Sequence, residues 1–179
     1  SLTLPILRSM AKKHGPLALV HVDAHADVND DMFGERETHG TVFRRAYEEG
    51  LLVPELVFQV GLRGTGYTAL DFSEAAGWGF NMITAPDIWH KSLTPLGKDV
   101  QSAIGNHPCY LSYDIDSLDP AYAPGTGTPE IGGLTTPQAM EFIRALHGLN
   151  IVGFDMVEVS PMYDTSGNTA LTAANLMFE

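Results

Sequence analysis

The sequence predicts an α/β fold, a three-layer αβα arrangement around a mainly parallel sheet, and three observations carry that prediction. Short apolar runs of strand length alternate along the chain with longer stretches of helical periodicity, the pattern of βαβ units. Two of those apolar runs end in acidic clusters, Asp23-Ala24-His25-Ala26-Asp27 and Asp114-Ile115-Asp116. Ligand sites of parallel sheets lie beyond the carboxyl ends of the strands, so the clusters fall where such a sheet would use them. The chain has 179 residues, 44% of them hydrophobic, which is the length of one domain and enough apolar material for a substantial core.

The elements follow in order. Residues 5–13 form an amphipathic helix that Gly15-Pro16 stops. A strand over 17–22 leads into the first acidic cluster, and 41–49 reads as the next helix. Strands are expected over 56–60 and 80–84, with a helix over 93–104 before a strand over 109–113. Thr135-Thr136-Pro137-Gln138 opens another helix, with a Thr-x-x-Gln capping box and a proline in the first turn, running to His147 ahead of Gly148. Strand 151–157 and helix 168–179 complete the series. Both ends read as cut, so residues 1–179 are expected to be the C-terminal portion of a larger domain. The sequence contains no internal repeat, low-complexity tract or linker.

Charge and cysteine content narrow the function classes. With 22 acidic against 10 basic residues and a formal charge of -12, the chain lacks the basic footprint of a nucleic-acid binder and suits a cationic small molecule better. No apolar run approaches the ~20 residues that span a bilayer, so no membrane partner is expected. The start, Ser1-Leu2-Thr3-Leu4-Pro5, has no signal-peptide pattern. Cys109 is the only cysteine and lies in an apolar run, which marks it as buried filler. No intrachain disulfide is available, and the expected compartment is reducing: cytoplasmic, or mitochondrial behind an upstream transit peptide.

The acidic clusters read as a two-metal site. Alternate residues of an extended segment point to one side, so Asp23, His25 and Asp27 are expected to converge, as are Asp114 and Asp116. Four carboxylates and an imidazole crowded together repel one another unless cations neutralise them. Taken alone, Asp114-x-Asp116 reads as a solvated turn or helix cap; it is the pairing of two such clusters at equivalent strand ends that favours metal. An EF-hand fails on detail, with Val28 at the sixth position, Gly34 at the twelfth and a strand where a helix should precede. Structural zinc prefers a closed cysteine and histidine set. Carboxylate-rich ligation with imidazole suits Mn²⁺ best.

Four stretches in their order carry a resemblance to a known family: Val22-Asp23-Ala24-His25-Ala26-Asp27; Thr38-His39-Gly40-Thr41-Val42-Phe43-Arg44-Arg45; Ser112-Tyr113-Asp114-Ile115-Asp116-Ser117-Leu118-Asp119-Pro120 with Ala123-Pro124-Gly125-Thr126-Gly127-Thr128-Pro129-Glu130; and Asp155-Met156-Val157-Glu158-Val159. The chain resembles, over essentially its whole length, the ureohydrolase (arginase-like) family, in its branch of agmatinases and guanidino-acid hydrolases. The resemblance implies two Mn²⁺ ions bridged by Asp23 and Asp114, with Asp27 completing one set and His25 and Asp116 the other. It implies His39 as proton shuttle, Asp27 as acceptor of a proton from the attacking water, and Glu158 as the partner of the guanidinium. Glu130 is a candidate substrate contact. A further metal histidine is implied in a Gly-Gly-Asp-His segment immediately upstream of Ser1. The implied reaction converts a guanidino compound, agmatine favoured by net charge, to urea and a primary amine such as putrescine. Guanidino acids such as 4-guanidinobutanoate are the alternative, which the Ala26-Asp27-Val28-Asn29-Asp30 segment also suggests. A homo-oligomer, trimer or hexamer, is implied as well.

Blander roles compete at each position. His39 reads by itself as a surface or capping residue, Glu158 as half of a structural salt bridge at the end of a buried strand, and Glu130 as a loop stabiliser. His14, His90, His107 and His147 sit beside turn signals and are assigned no function. The rival function is a dinucleotide-binding module, since Gly64-Thr65-Gly66-Tyr67-Thr68-Ala69 fits G-x-G-x-x-A after strand 56–60 and Asp87 stands where a ribose-binding acid would. Such six-residue patterns recur in glycine-rich α/β chains, and a tight turn is the preferred reading. A third alternative is a non-catalytic relative that keeps its metal site for stability or assembly.

Overall fold

Five parallel strands form one sheet in the order β3-β2-β1-β4-β5: β1 Leu17–Val22, β2 Leu52–Leu62, β3 Asn81–Thr84, β4 Cys109–Asp114 and β5 Ile151–Val157. The structure is a computed structural model that describes residues 2–64, 66 and 70–179, without the side chain of Asp71. Seven α-helices are described around the sheet: α1 Thr3–His14, α2 Val42–Glu48, α3 Asp71–Gly77, α4 Ala85–Ile88, α5 Thr94–Ile104, α6 Thr136–Ala145 and α7 Asn168–Phe178.

Side-chain alternation sorts the core into two layers. Along β1, Leu17 and Leu19 point to one face, where Leu4 and Leu7 of α1, Val42, Phe43 and Ala46 of α2 and Ala75 of α3 cover them. Ala18, Val20 and Val22 point to the other, against Ile88 of α4, Val100 and Ile104 of α5, Phe142 of α6 and Leu176 of α7. This is the expected three-layer αβα architecture. A central strand sandwiched in this way must be apolar on both faces, and every residue of β1 is buried. Gly97 allows α5 to close on α6: a Cβ there would stand 2.4 Å from that of Ala145.

The strand positions match the sequence pattern, with differences that have local causes. β2 begins at Leu52, ahead of the expected 56, because residues 53–56 bulge between the pairs Leu17–Leu52 and Leu19–Val57. Pro54 lies in that irregular stretch, where a residue without an N–H is tolerated. The helix expected over 41–49 runs Val42–Glu48, and Thr41 instead closes a 3₁₀ turn, His39–Thr41, in which Thr38 and Thr41 make a reciprocal capping box. The short helices α3 and α4, of seven and four residues, were not expected from the sequence. The capping box at Thr135 and Gln138 forms as the sequence indicates. Cys109 is fully buried, and burial pushes its thiol up to about 12.

The chain moves outward from β1 through β2 to β3, then returns to place β4 on the other side of β1. The order therefore reverses between β1 and β4, the crevice where open parallel sheets take their ligands. Both acidic clusters follow these two strands.

Candidate metal centre

Convergence at the end of β1 comes from a stapled turn and not from continued strand alternation. β1 stops at Val22, and Asp27 has a left-handed backbone with φ 54°. The turn is held by Asp23 N donating to Val60 O at 3.0 Å, by Arg63 N and Gly64 N donating to Ala24 O, and by Phe43 N donating to Asp27 O at 3.1 Å. His25 N donates to Asp23 Oδ1 at 2.6 Å, which fixes that carboxylate against its own backbone.

At the end of β4 the alternation rule also gives way. Asp114 is the last strand residue and Asp116 sits in a 3₁₀ turn, Ile115–Ser117, capped when Asp116 N donates to Asp114 Oδ1 at 2.8 Å. The capping role expected of such aspartates is real here, and it coexists with convergence. Ala24 N donates to Asp116 Oδ1 at 3.2 Å, tying the second cluster to the first, and Thr128 Oγ1 donates to Asp116 Oδ2 at 3.1 Å.

The two clusters meet in one cavity of about 270 Å³. His25 Nδ1 lies 3.3 Å from Asp23 Oδ1 and 3.2 Å from Asp116 Oδ2, so Asp23, His25 and Asp116 can share one cation, while Asp23 and Asp27 approach each other beside His21. Burial first, and then the charge of Asp23, pushes the carboxyls of Asp27, Asp114 and Asp116 above their ordinary range, Asp27 and Asp114 far above it. Burial acts against the charge of His25 too, yet its bonds to Asp116 and Asp23 raise the ring to about 11. Burial likewise opposes ionisation of Asp23, and His21 and His25 outweigh it to hold that carboxyl low. Carboxylates packed until some must carry protons, beside an imidazole that must carry one, form a donor set that divalent cations would relieve. The residues therefore fit a centre of divalent cations.

The other candidates line the same cavity: His39, Glu130 and Glu158. His39 is exposed in its 3₁₀ turn, which Asn29 clasps by donating from both N and Nδ2 to Gly40 O. Glu158 follows β5 in a left-handed conformation, φ 63°. The buried strand expected before it is in fact the edge of the sheet, with Ile151 41% and Phe154 52% exposed; Glu158 is itself exposed and takes part in no ion pair among the described residues. Glu130 Oε1 stands 3.7 Å from His25 Nε2.

Several residues that shape the site carried no assignment to a metal centre from sequence. Arg63 donates to the carbonyls of Gly61, Asp116, Ser117, Leu118, Glu130 and Ile131, binding three loops with one guanidinium. Gly64 backs His25, for a Cβ there would lie 2.4 Å from its ring. His21 and Gln59, both buried, stand behind Asp23. Polar residues inside otherwise apolar strand runs were the available signal for the last two.

The dinucleotide reading gains nothing from the described residues. Thr65, Tyr67, Thr68 and Ala69 of its glycine-rich pattern lie outside them, and Asp87 caps α4, accepting from Thr84 Oγ1 at 2.6 Å.

Comparison with known proteins agrees with the geometry. The model of the arginase family matches residues 1–179. The guanidinobutyrase of Pseudomonas aeruginosa is 62% identical over 179 residues, all of this chain and 56% of that protein. A mitochondrial agmatinase of Gallus gallus is 56% identical over 179 residues, again all of this chain and 53% of that protein. Among solved structures, the proclavaminate amidino hydrolase from Streptomyces clavuligerus superposes with a TM-score of 0.92 at 41% identity, covering 98% of this chain and 58% of that one. The chain spans about half the length of the curated relatives it matches.

Proposed function

The chain belongs to the arginase family, and from that premise we propose that the protein it forms hydrolyses a small linear guanidino compound to urea and a primary amine, with Mn²⁺ as cofactor. The observation that carries this reading is the meeting of Asp23, His25, Asp27, Asp114 and Asp116 in one cavity with His39 and Glu158 on its wall. Asp23, Asp27 and Asp114 would hold one cation, and Asp23, His25, Asp114 and Asp116 the other. Bound there, two divalent cations supply Lewis acidity, which makes water nucleophilic at neutral pH.

The chain's own groups account for the remaining steps. Glu158, which takes part in no ion pair among the described residues, can grip the guanidinium by charge-assisted hydrogen bonds and orient its carbon. As the water oxygen bonds to that carbon, Asp27 takes a water proton. The tetrahedral adduct collapses to urea when its C–N bond to the chain of the substrate breaks, its hydroxyl gives up the second water proton and the departing nitrogen gains a proton. His39, exposed to solvent and lining the cavity, can deliver it and be reprotonated from outside. Glu130, beside His25, borders the path of the substrate's tail.

For that tail we favour a guanidino acid, 4-guanidinobutanoate first, because the guanidinobutyrase relative shares the higher identity with this chain. Agmatine is the second reading, favoured by Glu130 and Glu158 on a wall that includes no lysine or arginine among the described residues. Urea release from both substrates, measured side by side with the Mn²⁺-loaded full-length protein, tests the proposal. Faster turnover of the guanidino acid supports it, faster turnover of agmatine reverses the tail assignment, and no urea from either defeats the reaction.

A further inference from the structure

A row of polar side chains crosses the sheet one layer beneath the cavity. Gln59 of β2, His21 of β1, Ser112 of β4 and Asp155 of β5 occupy adjacent register positions. All four are buried. One half of the row is closed on itself: Asp155 accepts from Ser112 Oγ at 2.7 Å, Tyr110 Oη at 2.9 Å and Thr3 Oγ1 at 2.8 Å. The other half points at the metal centre.

The direction of its hydrogen bonds can be worked out from one backbone carbonyl. The Gln59 side-chain nitrogen lies 2.7 Å from Ala26 O and 2.8 Å from His21 Nδ1. A carbonyl oxygen only accepts, so the amide's NH₂ end must face Ala26, and its second hydrogen then faces His21. Nδ1 is therefore an acceptor, and the proton of the neutral ring resides on Nε2, 2.8 Å from Asp23 Oδ2. The opposite tautomer would set N–H against NH₂ and a bare nitrogen against a carboxylate, two repulsions in a site where His21 is 1% and Gln59 0% exposed. Gln59 Oε1 finds no partner among the described residues, so the amide is turned for this chain of bonds and not for its own oxygen. Phe43 packs on the imidazole with ring centroids 4.2 Å apart.

We infer that Gln59 and His21 form a buried relay, ending on the Ala26 carbonyl, that locks His21 as an Nε2–H donor and holds Asp23 in its ligating orientation. Nitrogen, carboxylate and distance would let His21 join Asp23 and Asp27 around a cation. Both its nitrogens are already committed, so it is a positioning residue and not a ligand. With Oδ2 held by His21 and Oδ1 by His25 N, Asp23 cannot rotate away, and each oxygen keeps a further lone pair for a cation. The inference rests on reading the carboxylate cluster as a metal centre.

The test uses full-length protein with ¹⁵N-labelled histidine, stripped of metal, in which the His21 ring signals are identified by their loss in His21→Gln. The expected pattern is an unprotonated Nδ1 and a protonated Nε2; the reverse overturns the relay. Gln59→Glu, an isosteric change at a residue bonded to His21 and Ala26 and to no proposed ligand among the described residues, puts an acceptor against Nδ1. It should move the proton there and weaken Mn²⁺ binding by calorimetry at least ~10-fold, within the range of second-layer metal contacts. Unchanged ring signals with affinity within about twofold of wild type would overturn the inference. Should that variant not fold, His21→Gln, which keeps a donor, should bind Mn²⁺ more tightly than His21→Phe, which keeps only the ring; equal affinities would also overturn it. Wild-type protein that takes up no Mn²⁺ defeats the metal centre itself, while the tautomer in the metal-free protein still decides the relay.

Discussion

Two of the carboxylates given chemical roles, Asp27 and Glu158, have left-handed backbones. That conformation costs an ordinary residue of order 1–3 kcal/mol and persists only where surrounding bonds over-determine it. At Asp27 the restraints are visible: Phe43 N donates to its carbonyl, and Asn29, two positions on, is clasped to Gly40. The strain turns both carboxylates into the cavity, where an extended backbone would carry the chain past it. His39 is arranged differently, exposed in its 3₁₀ turn, as the proton exchange with solvent proposed for it requires. His39→Ala in the full-length protein is therefore expected to lower kcat by ~10²-fold or more with Mn²⁺ content unchanged. Urea assay beside metal analysis checks it, and an unaltered kcat would take His39 out of the reaction.

At the scale of elements, helices on one face of the sheet are joined by side chains distant in the sequence. Glu141 of α6 accepts from Ser92 Oγ, from Leu93 N at 2.9 Å and from Thr94 Oγ1 at 2.7 Å, clasping α6 to the start of α5. The Ser92 bond first, then those from Leu93 and Thr94, hold the carboxyl down at about 2. A carboxyl depressed in the folded state stabilises it above the ordinary value of 4.5, and that contribution is lost as pH falls from there toward about 2. Glu141→Gln should accordingly lower Tm at pH 7, and the gap from wild type should narrow at pH 3. Thermal melts of both proteins at the two pH values test this; a gap independent of pH would show that the clasp is not ionic. Capping chemistry of this kind is legible when local, as in the Thr135 and Gln138 box. The Glu141 clasp is not legible, because its partners lie nearly fifty positions away.

For the whole molecule, the central fact is the crowding of negative charge at the switch point of a net acidic chain. Metal bound to the native state alone stabilises it by mass action, by ~2.7 kcal/mol at a concentration ~100 times Kd. Mn²⁺ is expected to raise Tm of the full-length protein and a chelator to return it, read by calorimetry with and without the ion. Equal Tm in both conditions would mean that the carboxylates do not act as a metal centre. The same electrostatics explain why the acidic clusters tolerate burial at all, since uncompensated carboxylates in an apolar layer are costly.

The strand-and-helix alternation, the two-faced apolar β1, the Thr135 cap and the identities of the carboxylates and imidazole are written in local sequence. Periodicity and side-chain chemistry need only neighbours to express them. That alternating positions would converge was the local rule that failed: the strands end at Val22 and Asp114, and turns bonded to Val60, Arg63, Gly64 and Phe43 complete the convergence. The sign of φ at Asp27 and Glu158, the six carbonyls gathered by Arg63, and the register that sets Gln59, His21, Ser112 and Asp155 side by side all depend on partners distant in the chain. Sequence alone established the kind of fold and named the residues of the candidate site. Tertiary structure decided which way each ligand points, because orientation is fixed by long-range hydrogen bonds that no local pattern encodes.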